Sequence, residues 1–297
     1  KKETKLMEFK DLDLTELDKD LSEDQQKEWN AIYASYRSGS ILTGRVAGMD
    51  TTTITLENKE TGEPERVSIN CLVIISYRVK VLIPAQQVWF DESTKRPDHV
   101  LRSMTGAVID YVITGIDREN DCCTASRRLA LAIRRRSFLK LAPKTGKKVS
   151  VNILAVGAVH LLATCGGFDM TLSQRDLSYG MIFDLQEKYH PGETHTAVLK
   201  EYDAENKTLQ VSVKEAEPHP FDGVEIRHPL NSRRASVISG KYKGGVFCKL
   251  EENLDCLCTY SQYQYDTDFR IGDQVIVVVT KYDYRRKLVY GKIVAKW

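Results

Sequence analysis

Long apolar runs are missing from this 297-residue chain. None approaches the roughly 20 consecutive apolar residues that a membrane-spanning helix requires, and no secretory leader is visible. Cysteine is scarce. Seven thiols at irregular spacing are too few for a disulfide scaffold, so a reducing, cytoplasmic setting is expected. A charge excess is lacking too: 43 Lys and Arg against 41 Asp and Glu leave a net +2, which by itself announces no polyanionic partner. Nor do the residues assemble a phosphate-cradling glycine loop, a nucleophile elbow or a catalytic carboxylate pair. The expectation is a protein without catalysis and without a cofactor.

What is present is unevenly placed. The first 28 residues hold ten acidic against six basic side chains, whereas residues 127–148 hold nine basic side chains and no acid. A face exposed only to solvent usually alternates in sign, so this basic run, with Arg127, Arg128, Arg134, Arg135 and Arg136, is a candidate for phosphate contact.

A block recurs three times. Gly106, Gly192 and Gly272 each precede an aspartate, Asp117, Asp203 and Asp283, by eleven positions. An apolar or aromatic residue, Ile116, Tyr202 or Tyr282, stands just before each Asp, and a polar turn follows it. Val275, Val277 and Val279 alternate at period two, the mark of a half-buried strand. A repeat of about eighty residues fixes the domain organisation. Residues 1–37 form an acidic arm and helix, 38–142 repeat one, 143–217 repeat two, and 218–297 a linker with repeat three.

Within the arm, residues 1–20 read as poorly ordered or docked on a partner. Ser22 is a helix N-cap, opening a helix to Arg37 whose face holds Trp29, Ile32, Tyr33 and Tyr36. Packing on repeat one is the plainer reading of that face; a partner-binding helix is the other. Repeat one has strands over 41–46, 72–75, 79–83, 108–117 and 122–126. It carries an inserted hairpin over 51–65, a short helix at 85–89 and a loop at 92–99. Repeat two has strands over 149–155, 159–163 and 168–172. Residues 215–232, with Pro218, Pro220 and Pro229, read as a linker. Five short strands with a connector before the fourth is the order of a small Greek-key barrel. The expected fold is mainly β: three tandem five-stranded OB-fold barrels behind an N-terminal helix.

The repeat resembles the RNA-binding repeat of the bacterial ribosomal protein S-one family. That family's opening Gly-x-Val is matched by Gly44-Arg45-Val46. Its aromatic-Gly-aliphatic-Phe segment is resembled by residues 240–250. Its next strand is resembled by residues 81–86, and its Gly-Asp, Asp-turn and Ser-x-basic ending by Gly272-Asp273, Asp283 and residues 209–214 and 125–128. Repeat two lacks the opening Gly-x-Val, and repeat one carries the insertion.

The resemblance implies a sheet face that binds single-stranded RNA. Every base offers a π-face, so rings on strands accept any base, at about 1–3 kcal/mol per stacked base. Lys and Arg around the rings neutralise phosphates without reading sequence. In repeat three the candidates are Tyr242 and Phe247 with Lys241, Lys243 and Lys249, Tyr260 beside the strand end, and Arg285, Arg286 and Lys292 from the closing hairpin. Phe247 could equally be core. Repeat one offers Tyr77, Arg78 and Lys80; repeat two offers His160, Phe168 and Lys214.

Two possible metal motifs are read otherwise. Cys256 and Cys258, with Cys248 nearby, have no His at finger spacing and read as buried thiols. His190 and His195 flank a Pro-Gly turn and read as surface loop. The expected function is non-catalytic binding of single-stranded RNA, on mRNA or at the ribosome in translation. The alternatives are a protein-interaction adaptor docking on a ribosome or polymerase, where Tyr and Arg serve equally well, and a single-stranded DNA-binding protein. A membrane partner is not expected.

Overall fold

The computed structural model describes residues 21–57, 64–90, 95–180, 182, 184–203, 208–242, 245–262 and 264–297. The expected acidic arm, the tip of the repeat-one hairpin, the start of the 92–99 loop, the turn after Asp203 and Lys243 lie outside them. The chain divides into two compact units, Lys1–Leu141 with His190–Glu193, and Ala142–Tyr189 with Thr194–Trp297. Among the described residues no helix is long and apolar enough to cross a membrane.

Helix α1 (Glu23–Ser38) begins where the sequence places it. The Ser22 hydroxyl accepts from the Gln25 N–H, and the Gln25 side chain accepts from the Ser22 N–H, so two otherwise orphaned donors are satisfied. The helix stops at Gly39, whose φ of 67° suits a residue without Cβ. Trp29, Ile32 and Tyr33 are buried, but Tyr36, expected with them, is exposed. Ser35 takes the inward place: its hydroxyl accepts from the Ile113 N–H at 3.1 Å and donates to the Ser40 carbonyl at 2.7 Å. The helix therefore packs on module one.

Module one is a closed barrel of β1 (Leu42–Glu57), β2 (Pro64–Ile75), β3 (Lys80–Pro84), β4 (Val108–Asp117) and β5 (Cys122–Ser126), in the order β1-β2-β3-β5-β4. The expected insertion is no separate hairpin. It continues β1 and β2 as one ribbon, paired from Val46↔Ile74 to Glu57↔Pro64. The expected 92–99 loop holds over the described residues 95–97 and ends two residues early, where helix α2 (Asp98–Ser103) begins and buries Leu101.

The basic run folds into helix α3 (Arg127–Lys140), capped by the Ser126 hydroxyl accepting from the Leu129 N–H. Its buried positions are Arg127, Ala130, Leu131 and Arg135, a helical spacing. Two of those four are arginines. That hides the apolar periodicity and explains why the helix was not expected.

Module two has β6 (Lys148–Val156), β7 (His160–Cys165), β8 (Phe168–Ser173), β9 (Thr194–Asp203) and β10 (Thr208–Ser212), in the order β10-β9-β6-β7-β8. It departs from the expected closed barrel, because among the described residues no ladder joins β8 to β10.

Module three closes as β11 (Arg233–Tyr242), β12 (Gly245–Glu251), β13 (Leu254–Thr259), β15 (Leu288–Lys296) and β14 (Gln274–Asp283). Val275, Val277 and Val279 point inward with Val246, Cys248, Cys256, Cys258 and Ile293. Gly291 faces that core: a Cβ there would lie 2.6 Å from Val277 Cγ1 and 2.7 Å from Cys256 Sγ. The stretch 215–232, expected as a linker, is folded onto this barrel. Phe221 and Val224 join its core, Val224 opening helix α4 (Val224–Arg227). Arg227 and His228 hold the Glu251 carboxylate at 3.0 and 2.7 Å.

Candidate nucleic-acid interface

Every module carries a β-bulge at the same point of its first strand, at Val46/Gly48, Ile153/Ala155 and Ile238/Gly240. Positions can therefore be matched register by register. In module three, Gly240 pairs with Phe247, Phe247 with Leu257, and Leu257 with Tyr290. Paired residues project from the same side of a sheet, so Phe247, Leu257 and Tyr290 form one row. Inward-pointing Val246 and Cys248 flank Phe247 in β12 and are fully buried, which puts Phe247 on the outer face. Tyr242, about half exposed, stacks on it with ring centroids 5.3 Å apart and planes 24° off parallel.

The matched row in module one is Val73, Leu82 and Thr124, with Asp50 at the position of Tyr242. In module two it is Leu162, Thr171 and Gln210, with Gly157 at the position of Tyr242. Neither row holds a ring.

Cations surround the module-three row. Lys249 is exposed two residues beyond Phe247, and Lys292 is half-buried two beyond Tyr290. Exposed Lys281 is the antiparallel partner of Tyr290. Tyr290 and Lys281 were not among the expected site residues. Val289, Gly291 and Ile293 alternate inward, which turns Tyr290 and Lys292 outward, but only the pairing of β15 with β13 sets Tyr290 beside Leu257. Arg285 and Arg286 are exposed on the β14–β15 turn.

Two other module-three candidates are engaged elsewhere. Lys241 donates to the Phe269 carbonyl at 2.7 Å and ion-pairs with Asp266 at 3.1 Å. The Tyr260 hydroxyl donates to the same carboxylate, and its ring stacks on Phe269 at 5.2 Å. Those two donors hold the Asp266 carboxyl below its ordinary range, while burial and the adjacent carboxylate push the Tyr260 phenol up. Both residues brace the turn ahead of β14.

In module one, Tyr77 is exposed in the β2–β3 turn, where Glu28 accepts the N–H groups of Tyr77, Arg78 and Val79. Arg78 pairs with Asp121 at 2.9 Å and Lys80 with Asp50 at 2.7 Å. The Asp50 carboxyl is lowered chiefly by its hydrogen bond from Lys80.

The basic helix needs the larger correction. Arg127 is 1% exposed and donates to the Val88 carbonyl at 3.0 Å. Arg135 is buried, its guanidinium 3.6 Å from the Phe90 ring centroid. Arg134 makes a two-point bond to Asp110, at 2.7 and 3.2 Å. Arg128 and Arg136 are exposed. Aliphatic stems let Arg serve as packing material, so Arg127 and Arg135 belong to the interior of module one, while Arg128, Arg134 and Arg136 stay on its surface.

In module two, Phe168 is buried, edge-on to Tyr202 at 5.7 Å, and serves the core. His160 is exposed, and Lys214 lies 5.2 Å from the Tyr179 ring centroid. Cys248, Cys256 and Cys258 are buried as expected. Hydrogen bonding among these thiols, with burial, raises the Cys258 thiol. His190 lies 3.1 Å from Glu193, and His195 packs edge-on to Tyr189 at 5.3 Å.

No protein-family model matches the chain. It is 26% identical over 193 residues to the small ribosomal subunit protein bS1 of Coxiella burnetii, which covers 61% of this chain and 35% of that protein. The bS1 of Pseudomonas aeruginosa is 20% identical over 204 residues, 65% of this chain and 36% of that one. A 4-hydroxy-3-methylbut-2-enyl diphosphate reductase of Clostridium acetobutylicum is 26% identical over 204 residues, 65% of this chain but 30% of that enzyme. The chain thus spans about a third of the length of these curated relatives. Among solved structures, a multidomain protein with nucleic acid binding domains from Streptococcus pneumoniae matches 86% of this chain and 73% of its own, at 10% identity and a TM-score of 0.20. The chain is distantly related to bS1.

Proposed function

We propose that the chain binds single-stranded RNA without catalysis, on mRNA or at the ribosome, and that the outer face of module three makes the main contact. The observation that carries this reading is the ring row. Tyr242 stacked on Phe247, continued by Leu257 and Tyr290, offers a platform of base-like width with Lys249, Lys281 and Lys292 around it. Stacking on such a platform tolerates any base, and the lysines add attraction to phosphate that weakens with salt. Relatedness to bS1, a small ribosomal subunit protein, supports the same direction.

Equilibrium titration of the full chain with single-stranded RNA, duplex RNA and single-stranded DNA tests the proposal. Single-stranded RNA should bind at least about tenfold more tightly than duplex, because only unpaired bases can stack on the row. Equal affinity for duplex would reject it.

A second reading, a protein-interaction adaptor, draws on a different observation. Leu129 and Ile133, one helical turn apart on α3, are both exposed, and the outer rows of modules one and two have no rings. A chain that fails to bind nucleic acid would favour it.

A further inference from the structure

The second compact unit contains a cleft of about 640 Å³ where module two, module three and the 213–220 segment meet. None of the ring-row residues lines it. Its volume falls within the ~300–1,000 Å³ typical of small-molecule sites.

The walls are fixed by specific contacts. The turn between β12 and β13 sits on Gly180, where a Cβ would come within 3.0 Å of the Glu252 carbonyl and 3.1 Å of Asn253 Cα. Ser178 donates to the Asn253 side chain at 3.0 Å, and Lys188 pairs with Glu252 at 2.7 Å.

The charge inside is unbalanced in a useful way. Lys188 and Glu252 neutralise each other, whereas Lys148 and Lys214 line the cleft and form no ion pair among the described residues. Glu217 lines it as well and is exposed. Tyr179 forms an aromatic wall, with the His219 ring 4.1 Å away and the Lys214 ammonium 5.2 Å away. His195 and Thr196 line the cleft as well and bring polar groups to it. An apolar ligand would leave two ammonium groups without counter-charge. A bare phosphate would meet the lysines and leave most of the cleft empty. A phosphoryl group joined to a planar, hydrogen-bonding body satisfies both.

We infer that this cleft binds a phosphorylated nucleoside, with its phosphate at Lys148 and Lys214 and its base or ribose toward Tyr179 and His195. Such a group can come from a nucleotide of a bound strand or from a free mononucleotide. The inference does not rest on the ring row of module three.

Calorimetric titration of the full chain with uridine 5′-monophosphate, uridine and inorganic phosphate tests it. The variants are Lys148→Ala with Lys214→Ala, and the charge-preserving pair Lys148→Arg with Lys214→Arg. The monophosphate should bind at least about tenfold more tightly than either fragment; the alanine pair should lose that margin and the arginine pair keep it. Tyr242→Ala should leave it unchanged, so failure of the ring row and failure of this cleft are distinguishable. Displacement of the monophosphate by single-stranded RNA assigns the cleft to the strand; saturation undisturbed by RNA assigns it to the free nucleotide. Monophosphate binding no tighter than phosphate alone, or equally tight in the alanine pair, overturns the inference.

Discussion

Modules one and three are the same closed five-stranded barrel, yet their outer faces offer opposite chemistry. Register for register, Tyr242, Phe247, Leu257 and Tyr290 of module three stand where module one has Asp50, Val73, Leu82 and Thr124. On module one the position of the outermost ring is a carboxylate that neutralises Lys80 at 2.7 Å. On module three that position stacks against a second ring. A barrel core can therefore be kept while its outer face is rewritten, and fold likeness alone does not say which module would touch a nucleic acid.

The largest effect should come from stripping the row. Tyr242→Ala and Tyr290→Ala should each weaken single-strand binding by about 1–3 kcal/mol in equilibrium titrations, while Asp50→Ala and Thr124→Ala leave it nearly unchanged. Comparable losses from the two modules would erase the contrast.

The second effect concerns stability rather than binding. Arg127→Ala leaves the Val88 carbonyl without its buried donor, so thermal or denaturant unfolding should show a loss of about 1–3 kcal/mol. RNA affinity of the folded variant should not change. Arg128→Ala with Arg136→Ala should do the reverse: native stability, and, if both meet phosphate, a slope of log affinity against log salt shallower by up to ~2.

Grafting is a gentler test. Asp50→Tyr with Thr124→Tyr puts rings on exposed positions of module one and releases Lys80 from its carboxylate. A gain of up to about 1 kcal/mol in single-strand affinity is expected from added stacking. No gain in a folded variant would mean that the row needs its stacked partner as well as its rings.

The smallest effect is on pH. The Asp266 carboxyl is held below its ordinary range by the Tyr260 hydroxyl and then by Lys241. A depressed carboxyl adds stability that is present above its ordinary titration and is lost as pH falls through the lowered value. Thermal midpoints of the wild type should therefore fall more steeply below about pH 4 than those of Asp266→Asn. Parallel curves would mean that the brace at the β14 turn contributes nothing.

Much of this architecture was legible in the chain because periodicity and turn chemistry agree in the closing hairpins. Gly and Asp at fixed spacing bracket residues that alternate inward, Ile109, Tyr111 and Ile113 in β4, Ala197 and Leu199 in β9 and the valines of β14, and the strands lie where that pattern puts them. The α3 helix was not legible, since arginines occupy half of its inward face. Residues 215–232 looked like a linker because their prolines signal loop, while only Phe221 and Val224 carry the packing. For the ring row, Tyr242 and Phe247 showed through their neighbouring lysines. Tyr290 did not, because its membership depends on the parallel pairing of β13 with β15, which local sequence does not reveal. Arg127 and Arg135 looked like phosphate ligands for want of any sign that their stems are buried.

Photocrosslinking tests the central claim most directly. Single-stranded RNA carrying 4-thiouridine should be bound to the full chain, irradiated, and the adducts mapped by mass spectrometry. The account predicts adducts concentrated on Tyr242, Phe247 and Tyr290; adducts spread evenly over the three modules, or concentrated on module one, would contradict it.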